Sequence, residues 1–103
     1  MIQTQTPPQE VAEFDLPAAL LALRTRAEAE AFLADICTPS EVRALQERWR
    51  VAQLLDQGVL SYRDIAEKVG ASTTTVTRVA RFLRDMPYNG YRAVLDRLKA
   101  GQP

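Results

Sequence analysis

Apolar side chains recur at intervals of three and four residues along most of the chain after residue 15. That spacing places them on one face of an α-helix, and residues that commonly begin or end helices separate the segments. The pattern predicts six helices, near residues 16–23, 26–36, 39–57, 62–69, 73–85 and 90–99. No stretch makes a convincing β-strand. The predicted fold class is therefore all-α.

The third predicted helix has the strongest start signal. Thr38-Pro39-Ser40-Glu41 combines a capping box with a proline at the first helical position, and Gly58 can end the helix after Gln57. At 1.5 Å per residue this helix is roughly 28 Å long, so it must pack against several others. Thr25 with Glu28 forms a second predicted capping box. The remaining start signals are Asp15, Ser61 with Asp64, Ser72 and Asn89.

The fourth and fifth predicted helices are joined by the short turn VGAS. Gly70 in this turn is expected to take a positive φ, and Ala66 is small where the next helix must approach closely. The expected core between the two helices also includes Ile65, Val69, Val76, Val79 and Ala80. Two short helices with a tight turn that contains glycine predict a helix-turn-helix unit over about residues 61–85.

The fifth helix opens on many hydroxyl groups, in the sequence GASTTTVTRVARFL. Threonine is a mediocre helix former, and capping explains Ser72 better than it explains Thr74 and Thr77. In a helix-turn-helix unit the amino end of the second helix enters the DNA major groove. There, short hydroxyls hydrogen-bond to base edges and a threonine methyl can pack on a thymine methyl. The predicted base contacts are Thr73, Thr74 and Thr77.

Contacts to the DNA backbone are predicted from the neighbouring side chains. Arg63, Ser72 and Arg78 would position the backbone, while Tyr62 at a helix start either hydrogen-bonds to a phosphate or simply packs. Residues 61–84 contain five basic and two acidic residues, a net charge of +3. Such a charge supplies attraction to DNA that does not depend on base sequence.

The overall charge is zero, but the two parts of the chain differ. Residues 1–41 contain two basic and seven acidic residues, and residues 42–103 contain eleven basic and six acidic residues. The charges are therefore −5 and +5, which allows a basic face on a neutral protein.

The composition argues against an enzyme. The 103 residues include no histidine and a single cysteine, Cys37, which is expected to be a small buried apolar residue. No carboxylate pair stands out, so no catalytic residue, metal or cofactor is predicted. No apolar run could span a membrane, and the amino terminus lacks a secretory pattern, which makes the cytoplasm the expected location. Residues 1–13 are expected to form a disordered tail, with one domain over residues 14–100.

Two stretches resemble the Trp-repressor superfamily: TPSEVRALQERWRVAQLLDQG and, after it, LSYRDIAEKVGASTTTVTRVARFL. Within it, DICTPSEVRAL, GASTTTVTRV and GYRAVLDRL are most similar to the short YerC/YecD branch. The resemblance extends over about residues 14–98. It implies a six-helix TrpR-like fold in an intertwined homodimer, whose first helices and long third helix are exchanged between subunits. It also implies sequence-specific binding of palindromic double-stranded DNA and regulation of transcription, usually repression.

Dimerisation agrees with the apolar content of the chain. Phe14, Leu20, Phe32 and Trp49 are large side chains that need more cover than six short helices of one subunit provide. Two recognition helices related by a twofold axis can read a palindrome about one helical turn apart.

The resemblance also bears on a small-molecule effector. In Trp repressor the amino acid lies between two arginines that correspond to Arg48 and Arg78, and Thr38 matches a pocket threonine. Val79 stands in place of a glycine and Phe82 in place of a serine that holds the ligand amine. Both side chains should fill the space that an indole needs. We therefore predict that tryptophan does not bind, and expect Arg48 and Arg78 to form surface ion pairs or phosphate contacts.

A second hypothesis belongs to a different class. The chain could be a helical protein-interaction module that retains the helix-turn-helix unit for packing only, which the zero net charge and the acidic first third favour. Salt-dependent binding to mixed genomic DNA would separate the two hypotheses, because such a module should show none.

Overall fold

The computed structural model describes residues 13–101 of the chain. This part contains no strand and six helices: α1 (Leu16–Ala22), α2 (Arg26–Ile36), α3 (Pro39–Gln57), α4 (Tyr62–Val69), α5 (Thr73–Arg84) and α6 (Gly90–Ala100). The predicted all-α class is confirmed, and each predicted helix is present with nearly the predicted bounds. The expected disordered tail, residues 1–13, lies outside the described residues except for its last position.

The helices fall into two compact units, one up to Cys37 with α1 and α2, the other from Thr38 onward with α3 to α6. In the first unit, the Asp15 carboxylate accepts the amide of Ala18 at 3.0 Å and begins α1. The Thr25 hydroxyl accepts the amide of Glu28 at 3.1 Å and begins α2. The predicted capping box also requires a hydrogen bond from the Thr25 amide to the Glu28 carboxylate, and this part of the prediction was wrong. The Glu28 carboxylate accepts the amide of Arg24 at 2.9 Å instead of the Thr25 amide.

Neither α1 nor α2 contains a buried residue. Their large apolar side chains remain exposed, most strongly Leu21 at 86%. Cys37, the residue that ends α2, is only partly buried, which corrects the expectation of a buried cysteine. The large apolar side chains exposed in the described part of this unit are Phe14, Leu16, Leu20, Leu21 and Ile36.

In the second unit, α3 begins with the predicted capping box. The Thr38 hydroxyl accepts the amide of Glu41 at 3.1 Å, and the Glu41 carboxylate accepts the amide of Thr38 at 2.8 Å. Hydrogen bonding from Thr38, chiefly from its backbone amide and then from its side chain, stabilises the charged Glu41 carboxylate and holds the pKa of Glu41 below its ordinary value. Gly58 caps the carboxyl end of α3, and Gly70 caps that of α4. Both glycines take the left-handed backbone conformation, with φ of 71° and 79°.

The core of the second unit lies where α3, α4 and α5 meet. Every residue predicted between α4 and α5 contributes to it, with Val69 partly buried at its edge and the others buried. Trp49, one of the large side chains expected to need cover, is partly buried and packs against it. The buried core residues are Val51, Ala52, Leu55, Ile65, Ala66, Val76, Val79 and Ala80.

Helix α6 begins differently from the prediction. Asn89 makes no side-chain capping bond; it takes a left-handed conformation (φ 57°), and its side-chain amide donates to the carbonyl of Pro87 at 3.3 Å. Asparagine tolerates this conformation better than most residues, so it serves here as a turn residue.

Two ion pairs connect α6 to the end of α3. Arg92 donates to the Asp56 carboxylate at 2.8 Å, and Lys99 donates to its other oxygen at 2.7 Å. These hydrogen bonds lower the pKa of Asp56 to about 2. Arg92 also pairs with Asp96 on its own helix at 2.8 Å.

Candidate nucleic-acid interface

Helix α5 has one buried and one exposed side. Val76, Val79 and Ala80 are buried against α3 and α4, which fixes the rotation of the helix. The polar residues between them therefore face outward, since residues three and four apart share a helix face. All the candidate DNA-contacting residues on α5 and at its cap are exposed: Ser72, Thr73, Thr74, Thr77 and Arg78.

The hydroxyl groups at the start of α5 are not equivalent. Ser72 caps the helix: its Oγ accepts the amide of Thr75 at 3.1 Å and lies 3.1 Å from the Thr75 hydroxyl. The Thr77 hydroxyl donates to the carbonyl of Thr73 at 3.0 Å, one turn earlier. Within residues 13–101 the Thr74 hydroxyl makes no hydrogen bond, so both its donor and its acceptors can face a ligand.

Arg78 is held by aromatic side chains. Its guanidinium lies over the Phe82 ring, 4.6 Å from the ring centre, and Phe82 stacks on Tyr88 with centres 6.3 Å apart. Cation–π contact restricts a long side chain that would otherwise sample many rotamers. Arg78 is thus presented on the exposed side of α5 in a defined orientation.

The start of α4 supplies the two remaining candidates. Arg63 is exposed. Tyr62 is 40% exposed, and its hydroxyl accepts a hydrogen bond from Nη1 of Arg84 at 2.9 Å. Arg84 was missed by the sequence reasoning, because nothing in the local pattern links residues that are 22 positions apart.

Tyr62 and Thr77 line one open groove between α4 and the second half of α5. The structure thus brings together two candidates from different helices. Arg63 does not line this groove. The groove has a volume of about 360 Å³ and is lined by Tyr62, Thr77, Ala80, Arg81, Arg84 and Asp85.

The positions aligned with an effector pocket have other roles in this chain. Val79 is 1% exposed, as part of the core, and the Phe82 ring lies against Arg78. The Thr38 hydroxyl caps α3. Neither Arg48 nor Arg78 takes part in an ion pair within the described residues. Of the two roles expected for them, surface ion pairs are therefore not seen there, and phosphate contacts stay a prediction.

None of the helices described between residues 13 and 101 is both long enough and apolar enough to cross a membrane.

Comparison with known proteins gives a consistent result. The family model described as Trp repressor protein matches residues 14–99. The uncharacterised protein YerC of Bacillus subtilis (strain 168) is 37% identical over 81 residues, which are 79% of this chain and 76% of YerC.

Two crystal structures are similar in fold and sequence. A TrpR-like protein from Eubacterium eligens ATCC 27750 superposes with a TM-score of 0.76 at 41% identity, covering 85% of this chain and 89% of that one. A candidate Trp repressor from Staphylococcus aureus superposes with a TM-score of 0.77 at 32% identity, covering 95% and 100%. The predicted resemblance is confirmed: the chain belongs to the Trp repressor family, among its TrpR-like, YerC-type members.

Proposed function

We propose that this protein is a non-enzymatic, sequence-specific transcriptional regulator, a repressor, that acts in the cytoplasm as a homodimer on palindromic double-stranded DNA. One observation carries the proposal: the amino end of α5 exposes hydroxyls and Arg78 on the side opposite its buried face. Membership of the Trp repressor family supports the same function.

The proposed roles follow from the chemistry of each side chain. Thr73, Thr74 and Thr77 are short enough to bring the helix backbone near the base edges in the major groove. Arg63 and Arg78 reach phosphates, and Arg78 does so from the orientation that Phe82 gives it.

Ser72 contributes the start of the helix itself. Its hydroxyl holds the first turn of α5 in place, and the free amides there suit a phosphate. Its role is therefore to position the backbone of the DNA.

Dimerisation is supported by apolar surface that a single chain leaves open. Helices α1 and α2 bury no residue, and a helix of seven or eleven residues without a buried face is not stable in water. The first part of α3 repeats this pattern, because all its buried residues lie at or beyond Val51 and Leu45 is 43% exposed. A second copy of the chain is the partner that the family fold implies.

Tryptophan is not expected to be the effector. A ligand of indole size would have to displace Val79 from the core or Phe82 from its stack with Tyr88. Both changes are destabilising, because a closely packed interior has no space for a displaced side chain.

DNA binding is tested by selecting bound duplexes from a random pool and measuring affinity by fluorescence anisotropy. Thr74→Ala should weaken binding to the selected duplex by about 1–3 kcal/mol for a lost base contact, with little change on random DNA. Lys68→Ala is the matched control, because a lysine that contacts phosphate weakens all sequences alike. Absence of salt-dependent binding to mixed genomic DNA would refute the proposal and favour the interaction module.

The homodimer is tested by sedimentation velocity. The wild-type chain should sediment as a dimer, and Leu20→Asp should dissociate or unfold it by placing a charge in the interface. Val59→Asp is the matched control, since Val59 is 79% exposed in the loop after α3. A wild-type chain that stays monomeric at high protein concentration would refute this part of the proposal.

A further inference from the structure

The groove between α4 and the second half of α5 contains a hydrogen-bonded pair from two helices. Nη1 of Arg84 donates to the Tyr62 hydroxyl oxygen at 2.9 Å, so the hydroxyl hydrogen of Tyr62 remains available to another acceptor. Arg84 itself keeps further N–H donors, because a guanidinium has five. Arg81 lines the same groove one turn earlier on α5.

Two arginines and one aspartate line the groove, so its lining carries a net positive charge. Within residues 13–101 neither Arg81 nor Arg84 forms an ion pair. Asp85 lines the groove but pairs with neither arginine. Two guanidinium groups and a phenol hydroxyl are donors that suit a phosphate, and guanidinium groups bind it in bidentate geometry.

The groove continues the proposed recognition surface. Thr77, Arg81 and Arg84 are spaced by four and three residues and therefore form one stripe along α5. At 1.5 Å per residue, Arg84 lies about 10 Å beyond Thr77 along the helix axis. The DNA major groove is about 12 Å wide. If Thr77 lies at the base edges, Arg81 and Arg84 therefore lie near the phosphates that border the groove.

We propose that Arg81 and Arg84, with Tyr62, form a binding site for one backbone phosphate of the DNA duplex. Arg81 and Arg84 contact the phosphate, and Tyr62 both donates to it and holds Arg84 in place. The inference rests on the proposed function and adds to it a phosphate contact at the carboxyl end of the recognition helix. The other role open to Tyr62 and Arg84 is a structural tie between α4 and α5, which would affect stability alone.

The test is the salt dependence of DNA affinity, measured by anisotropy on the selected duplex and on a random one. Arg84→Ala should bind both duplexes about tenfold more weakly, because it loses a charged hydrogen bond. Its slope of log K against log salt should be shallower by about 0.9, the value for one phosphate contact. Tyr62→Phe should also weaken binding to both duplexes, while Asp85→Asn should strengthen it by removing a repelling carboxylate. Arg97→Ala is the matched control, an exposed cation on α6 outside the groove, and should change neither affinity nor slope.

Thermal unfolding of each variant is recorded in parallel. If wild-type protein binds DNA while Arg84→Ala changes only its thermal midpoint, the pair is a structural tie and the inference is wrong. If wild-type protein binds no duplex, the proposed function fails first. Inorganic phosphate at constant ionic strength should not stabilise the wild type; stabilisation that Arg84→Ala removes would assign the groove to a free anion and overturn the assignment to DNA.

Discussion

Replacing Asp56 with asparagine should weaken the attachment of α6 to α3. The Asp56 side chain is only 14% exposed and accepts from Arg92 at 2.8 Å and from Lys99 at 2.7 Å. Asparagine preserves the size of the side chain and can still accept a hydrogen bond, but it removes the negative charge that both cations share. The variant therefore isolates the electrostatic part of the contact.

The size of the effect can be bounded from both sides. The pKa of Asp56 falls from 3.8 to about 2, which at about 1.4 kcal/mol per pKa unit gives an upper bound of about 2.5 kcal/mol. The side chains of Arg92 and Lys99 are 38% and 57% exposed, so water and salt screen the pairs. Exposed ion pairs contribute about 0.2–1 kcal/mol each, and we expect Asp56→Asn to lower the free energy of unfolding by about 1–1.5 kcal/mol near neutral pH.

The pH dependence gives the sharper test. A carboxylate whose pKa is lowered by folding stabilises the protein above its unfolded pKa and loses this effect as pH falls toward the folded pKa. The difference between wild type and Asp56→Asn should be constant above about pH 5, fall to roughly half near pH 3, and vanish below about pH 2. Urea unfolding followed by circular dichroism at a fixed protomer concentration measures it.

Asp96→Asn is the matched control. Asp96 pairs with the same arginine, but its side chain is 61% exposed and lies one turn away on the same helix. We expect a change of about 0.3–0.5 kcal/mol or less for this variant. Equal effects of the two variants, or a gap between Asp56→Asn and wild type that widens on acidification, would refute the reasoning.

Three further predictions concern the turn, the cap and the effector. Gly70→Ala should cost about 1–2 kcal/mol from backbone strain alone, because φ is +79° and a Cβ there meets no atom within 4 Å; Gly90→Ala, where φ is not positive, should cost little in the same urea experiment. Thr38→Ala should lower the free energy of unfolding by about 1 kcal/mol through loss of the α3 cap, and an unchanged midpoint would contradict the capping assignment. Calorimetric titration with tryptophan should give no binding signal, and a clear micromolar isotherm would show that Val79 and Phe82 do not block the pocket.

The helices of this protein were predictable because the residues that begin and end each helix act on neighbours close in the sequence. Thr38 and Glu41 satisfy each other's backbone amides, Ser72 caps α5, and Gly70 takes the positive φ that its position requires. Each signal depends on residues within four positions. Asn89 misled the prediction because asparagine suits both a helix cap and a left-handed turn, and its hydrogen bond to Pro87 selects the turn.

Contacts between residues far apart in the sequence could not be predicted, either in the candidate site or in the rest of the fold. The contact between Tyr62 and Arg84 joins two helices, and the contacts of Asp56 with Arg92 and Lys99 span 36 and 43 positions. Periodicity indicated which side chains share a helix face but not which surface covers that face. Leu20, for example, was expected to need more cover than one subunit provides, and it is 48% exposed within one chain.

Under the proposed function, the hydrogen bond from the Thr77 hydroxyl to the Thr73 carbonyl has a consequence for the DNA sequence that the protein would bind. With its hydrogen directed back along the helix, this oxygen offers only lone pairs to the groove, so it suits the exocyclic amino groups of adenine and cytosine. The O6 and N7 atoms of guanine, which need a donor, would be met with repulsion. If Thr77 contacts a base as proposed, its hydrogen bond within α5 selects the kind of base that it can face before DNA binds. The Thr74 hydroxyl makes no hydrogen bond within residues 13–101, so it could act as donor or acceptor toward a base.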